Sequence, residues 1–146
     1  MTLEEAIAQY RHGLAKYCYS LLGNFHDAQD ATQETFAKAF AKRDTFRGAA
    51  SAVTWLYRIA HNTCLSMLRR RRFAFFAPTR PPDPVPNTDL ARALATLSPK
   101  ERALLYARAV EDIDYDALAI IHNARAATLR KRYERIRKKM QKLLQE

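Results

Sequence analysis

The chain has 146 residues, a length that fits one ordinary domain or two small ones. Its apolar content of 48% with only three glycines excludes collagen-like, low-complexity and wholly disordered chains. No apolar run approaches the roughly 20 residues that span a bilayer, and the N-terminus lacks a signal-peptide pattern, so we expect a cytoplasmic protein with no membrane insertion of its own. The formal net charge of +10 favours a polyanionic partner, above all nucleic acid.

The chain begins with a predicted helix that carries recognisable signals at both ends. Thr2 and Glu5 have the spacing of a capping box. Apolar residues then recur at helical intervals from Leu3 to Leu21. Gly23 ends the helix, because glycine adopts the left-handed conformation of a helix C-terminus without steric cost.

A second helix is predicted from about His26 to Lys42. Its apolar side carries Ala28, Phe36 and Phe40 at helical spacing. The opposite side carries acidic and amide residues, which are Asp27, Asp30, Gln33 and Glu34. We therefore expect one face of this helix to pack and the other to face solvent or a partner.

A loop over residues 44–51, with Gly48 near its middle, precedes a third helix predicted over about residues 52–71. This helix combines aromatic rings with cations and polar groups at Trp55, Tyr57, Arg58, His61, Asn62, Arg69 and Arg70. Aromatic rings beside cations suit unstacked bases and a single-stranded backbone. The alternative is a Trp55 that packs in the core and a basic helix end that is simply solvated.

A proline-rich segment interrupts the helical pattern over residues 73–88, with five of the six prolines. Each proline lacks an N–H and disfavours helix in the residue before it. We therefore predict a flexible linker that separates an N-terminal domain, 1–72, from a C-terminal domain, 89–146. Each domain carries a net charge of +5, from 11 − 6 and from 13 − 8 charged residues. Sixteen extended residues reach at most about 55 Å, so we expect the two domains to move independently or to be clamped together by an inhibitor.

The second domain opens with a short predicted helix over residues 90–97. Ser98, Pro99 and Glu101 then give a strong start signal for a helix that runs to about Val110. Asp114 is placed to cap a short helix that ends at His122.

The last predicted helix, residues 126–144, follows a tight turn at Asn123, since asparagine tolerates a positive φ. Helix, tight turn and longer basic helix make a helix-turn-helix arrangement. Between Arg125 and Lys142 there are nine basic residues and a single acid, Glu134. Arginines at the start of such a helix reach guanine edges, and those further along meet phosphates. The alternative is a basic C-terminal helix that is merely solvated.

Three stretches of the chain resemble the extracytoplasmic-function (ECF) group of bacterial sigma-70 factors. These stretches are DAQDATQETFAKAF at 27–40, DTFRGAASAVTWLYRIAHNTCLSMLRRR at 44–71 and LSPKERALLYARAVEDIDYDALAIIHNARAATLRKRYERIRKKM at 97–140. The resemblance implies an all-α protein with two small helical domains, the second a helix-turn-helix domain. It also implies a promoter-specificity subunit of bacterial RNA polymerase that is not an enzyme by itself.

The resemblance carries functional residues onto this sequence. The second helix would contact core RNA polymerase through Asp27, Asp30, Gln33, Glu34 and Phe36. The loop and third helix would hold the melted minus-ten strand of promoter DNA through Arg47, Gly48, Ser51, Trp55, Arg58, His61, Asn62, Arg69 and Arg70. The last helix would face the minus-thirty-five element through Arg125, Thr128, Arg130, Lys131, Arg132 and Arg135. Members of this group are commonly held by an anti-sigma factor, often a membrane-anchored one.

Two rival functions remain open from the sequence. A free helix-turn-helix regulator would have no need for the polymerase-facing side of the second helix. A sigma-like decoy that titrates an anti-sigma factor would not need DNA-facing cations, yet both domains keep them. No residue identifies the promoter sequence, the inducing signal or the anti-sigma factor.

Other chemistry has weak support in the sequence. His61 and Cys64 have a one-turn ligand spacing, but no second pair accompanies them, so we expect no metal and no cofactor. Cys18 and Cys64 fit buried packing residues better than a redox pair in a reducing compartment. We find no nucleophile–base arrangement and expect no catalytic residue.

Overall fold

The computed structural model describes residues 2–45, 51–73 and 80–145, without the side chain of residue 73. Across those ranges the chain is all-α, as predicted, and contains no strand. The helices in chain order are α1 (Leu3–Leu22), α2 (Phe25–Ala41), α3 (Ala52–Phe73), α4 (Asp89–Ala95), α5 (Pro99–Ala109), α6 (Tyr115–His122) and α7 (Ala126–Gln145). A short 3-10 turn over Arg43–Thr45 follows α2.

Side-chain caps fix the starts of the helices. The predicted capping boxes are present at Thr2 with Glu5 and at Ser98 with Glu101, where each cap and its acid satisfy one another's backbone N–H groups. Asp114 accepts a hydrogen bond from the backbone N–H of Ala117 at 2.8 Å, as predicted for the start of α6. Each cap of this kind stabilises its helix by about 1 kcal/mol.

Residues with a left-handed backbone conformation end two of the helices and lie in one turn. Gly23 ends α1 with φ 68°, and Asn123 ends α6 with φ 50°, both as predicted. Asp112 also has a positive φ, 52°, in the turn between α5 and α6. The sequence predicts a turn at residues 112–114, and aspartate is one of the few non-glycine residues that tolerates this conformation.

Helices α1, α2 and α3 pack around one core. Its largest fully buried side chains are Leu14, Tyr17, Leu21, Leu56 and Tyr57. Phe40 departs from the predicted apolar face of α2, because its side chain is 40% exposed at the last turn of the helix. Ala39 in the same turn is fully buried, so Phe40 lies at the edge of the packed face rather than on it.

Helices α4 to α7 build a second core. Its buried members are Ala93, Leu97, Leu104, Ala107, Leu118, Leu129, Ile136 and Met140. The predicted stripe of α7 lies against this core, with Tyr133 and Leu143 half-buried at its margin. Because the stripe is buried, the charged residues of α7 point outward.

The two halves of the chain pack against each other. Ala103 on α5 and Ile121 on α6 are buried in the core of the first half, so α5 lies on α1 and α6 lies on α3. The Arg102 guanidinium donates to the backbone carbonyl of Ser20 at 2.9 Å across the same contact. The structure therefore shows a closed arrangement in which the two halves share buried surface.

The predicted linker is non-helical over residues 80–88, as its prolines require. It is not a free tether over that stretch, because the backbone N–H of Asp83 donates to the carbonyl of Gly23 at 2.8 Å. Among the described residues, no helix is long and apolar enough to cross a membrane.

Candidate protein and nucleic-acid interfaces

The outer side of α2 presents acidic and amide groups to solvent. Asp30 and Gln33 are exposed, and the half-buried Glu34 pairs with Lys38 one turn later at 3.3 Å. None of these three side chains contributes to the core. They form a polar surface that a protein partner can reach, as the sequence predicts.

Asp27 and Phe36 lie in the protein rather than on this surface. Asp27 is 8% exposed and forms ion pairs with Arg71 on α3 and with Arg80 at 3.0 Å. Phe36 is 6% exposed, with the Arg11 guanidinium 4.8 Å from its ring centroid. The sequence assigned both residues to polymerase contact. Their burial instead gives them structural roles, Asp27 by tying the start of α2 to the end of α3.

The start of α3 is set by Ser51. Its hydroxyl accepts a hydrogen bond from the backbone N–H of Thr54 at 3.1 Å, while the residue itself is exposed. Trp55 is half-buried and packs beside the first core. The predicted base-pocket residues Arg47 and Gly48 lie outside the described residues.

Two predicted strand-lining residues of α3 hold the two halves together. His61 is 2% exposed, and its Nδ1 is 2.8 Å from the Tyr17 hydroxyl. Its ring lies 4.5 Å from that of His122 on α6, measured between centroids. Arg58 donates to the backbone carbonyl of Ile120. In the closed arrangement, His61 therefore cannot contact a nucleic-acid strand, which corrects the prediction for this state of the chain.

Burial changes the acid–base behaviour of this cluster. It lowers the pKa of His61 to about 3, with a further contribution from the positive potentials of His122, Lys100 and Arg58. It lowers the pKa of His122 to about 4 for the same reason, with Lys100 and Arg132 nearby. Both rings are therefore neutral at neutral pH, which suits their close contact.

Other residues of α3 remain accessible. Asn62, Arg69 and Arg70 are exposed, and Arg69 donates to the Ser66 hydroxyl at 3.1 Å. Arg58, which is half-buried, lies on the same side of α3 as Asn62 and Arg69, with the buried His61 beside them. Arg70, nine residues after His61, lies on the opposite side of the helix from it. The structure thus brings the predicted residues onto one helix but leaves only part of the set open to solvent.

The predicted face of α7 is open. Arg125, Arg130, Lys131, Arg132 and Arg135 are exposed. Thr128 is half-buried beside them at the start of the helix. This surface carries five cations, so it suits the major groove and the flanking phosphates of duplex DNA.

Tyr115, at the start of α6, supports this face. Its ring lies between two guanidinium groups, with Arg130 at 4.8 Å and Arg108 at 5.0 Å from the centroid. Tyr133 of α7 meets the same ring edge-on, with the centroids 6.4 Å apart. The sequence did not single out Tyr115, because its partners come from two other helices, α5 and α7.

Sequence reasoning also missed the residues that join separate elements, namely Tyr17, Arg71, Arg80, Arg102 and His122. Their contacts cross at least 44 positions of the chain, so no local pattern marks them. Cys18 and Cys64 are free and fully buried, as expected for packing residues. In the part of the chain that the structure describes, no three His, Cys, Asp or Glu residues cluster as a metal site.

Two family models match the chain along its two halves. A model described as Sigma-70 region 2 matches residues 6–74, and one described as Sigma-70, region 4 matches residues 88–140. The boundary between the two matches falls in the proline-rich segment.

The relatives found by sequence similarity are named as sigma factors, in agreement with the two family models. The ECF RNA polymerase sigma factor SigE of Mycolicibacterium smegmatis is 30% identical over 157 aligned positions, which cover 97% of this chain and 61% of the relative. The ECF RNA polymerase sigma factor SigG of Mycobacterium tuberculosis is 48% identical over 63 residues, which cover 43% of this chain and 17% of the relative. The chain thus spans less than two thirds of the length of either protein.

Among solved structures, the sigma factor RpoE from Bartonella quintana, in complex with the anti-sigma factor NepR, resembles this chain over nearly all of its length. The match has a TM-score of 0.79 and 25% sequence identity, and it covers 97% of this chain and 96% of that one. The closed arrangement of seven helices therefore belongs to a known fold.

Proposed function

Because the chain belongs to the ECF group of the sigma-70 family, we propose that it directs core RNA polymerase to promoters and helps open the DNA at the start site. The observation that carries this proposal is the presence of two exposed surfaces on one chain. One is the polar face of α2, and the other is the cationic face of α7. A protein that binds only DNA needs the second surface and not the first.

The α7 surface reads duplex DNA at the minus-thirty-five element. The turn at Asn123 sets α7 after α6, and the buried stripe of α7 fixes which side faces outward. Arg130 and Lys131 lie near the start of this helix, where side chains reach base edges. Cations nearer its C-terminus, such as Lys138, contact phosphates and add affinity without sequence preference.

The α2 surface binds core polymerase. Asp30, Gln33 and Glu34 are accessible and are not required by the core, and the ion pair of Asp30 with Arg80 is exposed, so a partner can reach all three side chains. A basic partner surface complements the two carboxylates. Asp27 acts behind this surface, where its ion pair with Arg71 holds the start of α2 in place.

The α3 surface engages the melted minus-ten strand only after the halves separate. In the closed arrangement α6 covers His61 and occupies Arg58. Separation frees both side chains, so that they join Asn62 and Arg69 along one strand-binding side, with Arg70 at its margin near the end of the helix. Extruding each base costs a few kcal/mol, which the pocket and phosphate contacts offset.

An anti-sigma factor is the natural antagonist of this opening. A protein that stabilises the contact of α6 with α3 keeps the minus-ten surface covered and blocks initiation without competing for α7. The chain acts in the cytoplasm by binding and positioning, with no catalytic residue or cofactor of its own.

Reconstituted transcription tests this function. Core polymerase with the parent chain should select promoter fragments from a genomic DNA library and transcribe from them, whereas core polymerase alone should not. The Asp30→Arg variant should stay folded, because exposed substitutions usually change stability by no more than about 0.5 kcal/mol. It should lose association with core polymerase, because a cation replaces an anion opposite a basic surface.

Two results would count against the proposal. Normal polymerase affinity for Asp30→Arg, Gln33→Ala and Glu34→Arg together would favour a free DNA-binding regulator. Polymerase binding by the parent with no DNA selection would favour a decoy that titrates an anti-sigma factor. The control Glu4→Arg changes an exposed acid on α1, away from the surface, and should behave as the parent does.

A further inference from the structure

We infer that residues 80–83 form a latch that occupies the polymerase-facing surface of α2 in the free chain and restrains the second half. This inference rests on the proposed function, because it assigns the same surface to two competing occupants. The latch is defined by Arg80, Pro81, Pro82 and Asp83. It joins the proline-rich segment to the turn between α1 and α2.

Arg80 binds the acids at the start of α2. Its guanidinium donates to the Asp30 carboxylate at 2.9 Å and to the Asp27 carboxylate at 3.0 Å. The Arg80 side chain is 49% exposed and that of Asp30 is 64% exposed, so water competes with this contact. Such pairs are weak individually and exchange readily with another cation. Arg80 thus holds Asp30 in a contact that a polymerase arginine or lysine can replace.

Asp83 anchors the other end of the latch. Its carboxylate accepts a hydrogen bond from the backbone N–H of Phe25 at 2.9 Å. This N–H belongs to the first residue of α2, so it has no partner within the helix itself. Its own N–H donates to the carbonyl of Gly23 at 2.8 Å. The Asn24 amide donates to the carbonyl of Pro81 at 2.9 Å. The latch therefore binds the N-terminus of α2 through backbone and side-chain hydrogen bonds, and the Asp83 carboxylate lies at the positive end of the helix dipole.

Anchoring at Asp83 shortens the tether between the halves. Only residues 84–88 separate Asp83 from the first residue of α4. Five extended residues reach roughly 17 Å, whereas the whole segment 73–88 reaches about 55 Å. With the latch in place, α4 must stay near α2. The second half can then move only a short way from the first.

The two occupants of the α2 surface therefore couple polymerase binding to opening. A polymerase cation that takes Asp30 displaces Arg80 and weakens the hold on residues 80–83. Release lengthens the tether, so the second half can leave α3 and expose Arg58 and His61. The free chain stays closed, and the bound chain gains the reach that two separate promoter elements require.

The direct test measures the distance from the latch to α1 in the full chain. Spin labels are attached at Lys16→Cys on α1 and Val85→Cys beyond the latch, two exposed positions. Cys18 and Cys64 are fully buried and do not compete for the label. The free parent should give one short, narrow distance distribution. Arg80→Glu should give a broad one, and core polymerase should broaden the distribution of the parent.

Affinity gives a second readout. Arg80→Ala should bind core polymerase about three- to ten-fold more tightly than the parent, because it removes an exposed competitor for Asp30. The matched control is Arg92→Ala, which removes an arginine from an exposed ion pair with Asp89 on α4. It should leave both the distance and the affinity unchanged.

The outcomes separate the latch from the proposed function. A broad distribution in the free parent, or a narrow one that persists on polymerase, would overturn the latch. An Arg80→Ala affinity equal to that of the parent would overturn the competition for Asp30. A parent that does not bind core polymerase at all would contradict the proposed function and the coupling, while the free-state distances would still decide whether residues 80–83 are anchored.

Discussion

Helices α7 and α3 both carry residues predicted to contact DNA, but these residues differ in how the fold exposes them. The five predicted cations of α7 are exposed, and its core contacts use other side chains. On α3, by contrast, Arg58 and His61 join the two halves, while Asn62, Arg69 and Arg70 of its predicted strand-binding residues are exposed. The proposed duplex binding by α7 therefore requires no rearrangement, whereas the proposed strand binding by α3 requires the halves to part. Only strand binding by α3 must therefore overcome the free energy of the α3–α6 contact.

The largest expected effect is on α7. Replacing Arg130 and Lys131 together with alanine should weaken binding to the cognate upstream duplex by about 2–6 kcal/mol, at 1–3 kcal/mol for each specific contact. Fluorescence anisotropy of the full chain on cognate and random duplexes measures this. Glu134→Gln, on the same face, is the control and should not weaken binding. Equal loss on both duplexes would mean that these residues contact phosphates only.

The next effect is on the α3–α6 contact. Ile121 is 1% exposed and belongs to the core of the first half, although it lies on α6. Ile121→Ala should destabilise the closed arrangement by about 2–4 kcal/mol through lost burial and a residual cavity. Small-angle scattering should show a larger radius of gyration, and circular dichroism should show unchanged helix content.

The neighbouring residue provides the matched control. Ile120 is 37% exposed, so Ile120→Ala should change stability by no more than about 0.5 kcal/mol and leave the radius of gyration as in the parent. Similar scattering from both variants would show that the α3–α6 contact does not depend on Ile121.

Acid should also open this contact. A buried neutral histidine binds fewer protons than an exposed one, so its contribution is complete above the ordinary pKa of about 6.5. It is lost as pH falls toward the lowered pKa of about 3 for His61 and about 4 for His122. Between pH 7 and pH 5 the closed arrangement should lose about 2 kcal/mol from His61 and less from the half-buried His122.

The acid effect is measured as urea unfolding of the parent and of His61→Gln at both pH values. His61→Gln should show a smaller loss between pH 7 and pH 5, since glutamine does not titrate. His12→Gln, which changes an exposed histidine of α1, should show the same loss as the parent. A parent whose stability does not change over this range would contradict the buried neutral state.

The smallest expected effect concerns the position of the Arg130 side chain, which the Tyr115 ring holds before DNA binds. Tyr115→Leu removes the ring that holds Arg130 and should weaken cognate binding by about 0.5–1 kcal/mol. Tyr115→Phe keeps the ring and should restore the affinity. A loss that phenylalanine does not restore would assign the effect to the hydroxyl instead.

The local parts of the fold followed from sequence, because each depends on neighbours in the chain. The capping boxes at Thr2 and Ser98, the C-cap at Gly23 and the turn at Asn123 were all predicted and are present. The outward face of α7 was predicted for the same reason, since its buried stripe has helical spacing.

The remaining features depend on contacts between distant segments. Asp27 has the same helical context as Asp30, yet only Asp27 lies where Arg71 can reach it. His61 was predicted to contact DNA, but it packs against His122 on α6. No local pattern in α3 indicates this contact. Proline content predicted a non-helical linker, but the anchoring of Asp83 depends on a turn about 60 residues earlier in the chain.

The most direct test of the account is the distance between the halves in the free chain and in the promoter complex. Fluorophores at Gln9→Cys on α1 and Asp116→Cys on α6, both exposed, report it by energy transfer. The free chain should show one short distance, and core polymerase with promoter DNA should lengthen it as α6 leaves α3. An unchanged distance in a complex that is actively transcribing would contradict the claim that the α3 surface must be uncovered before the DNA opens.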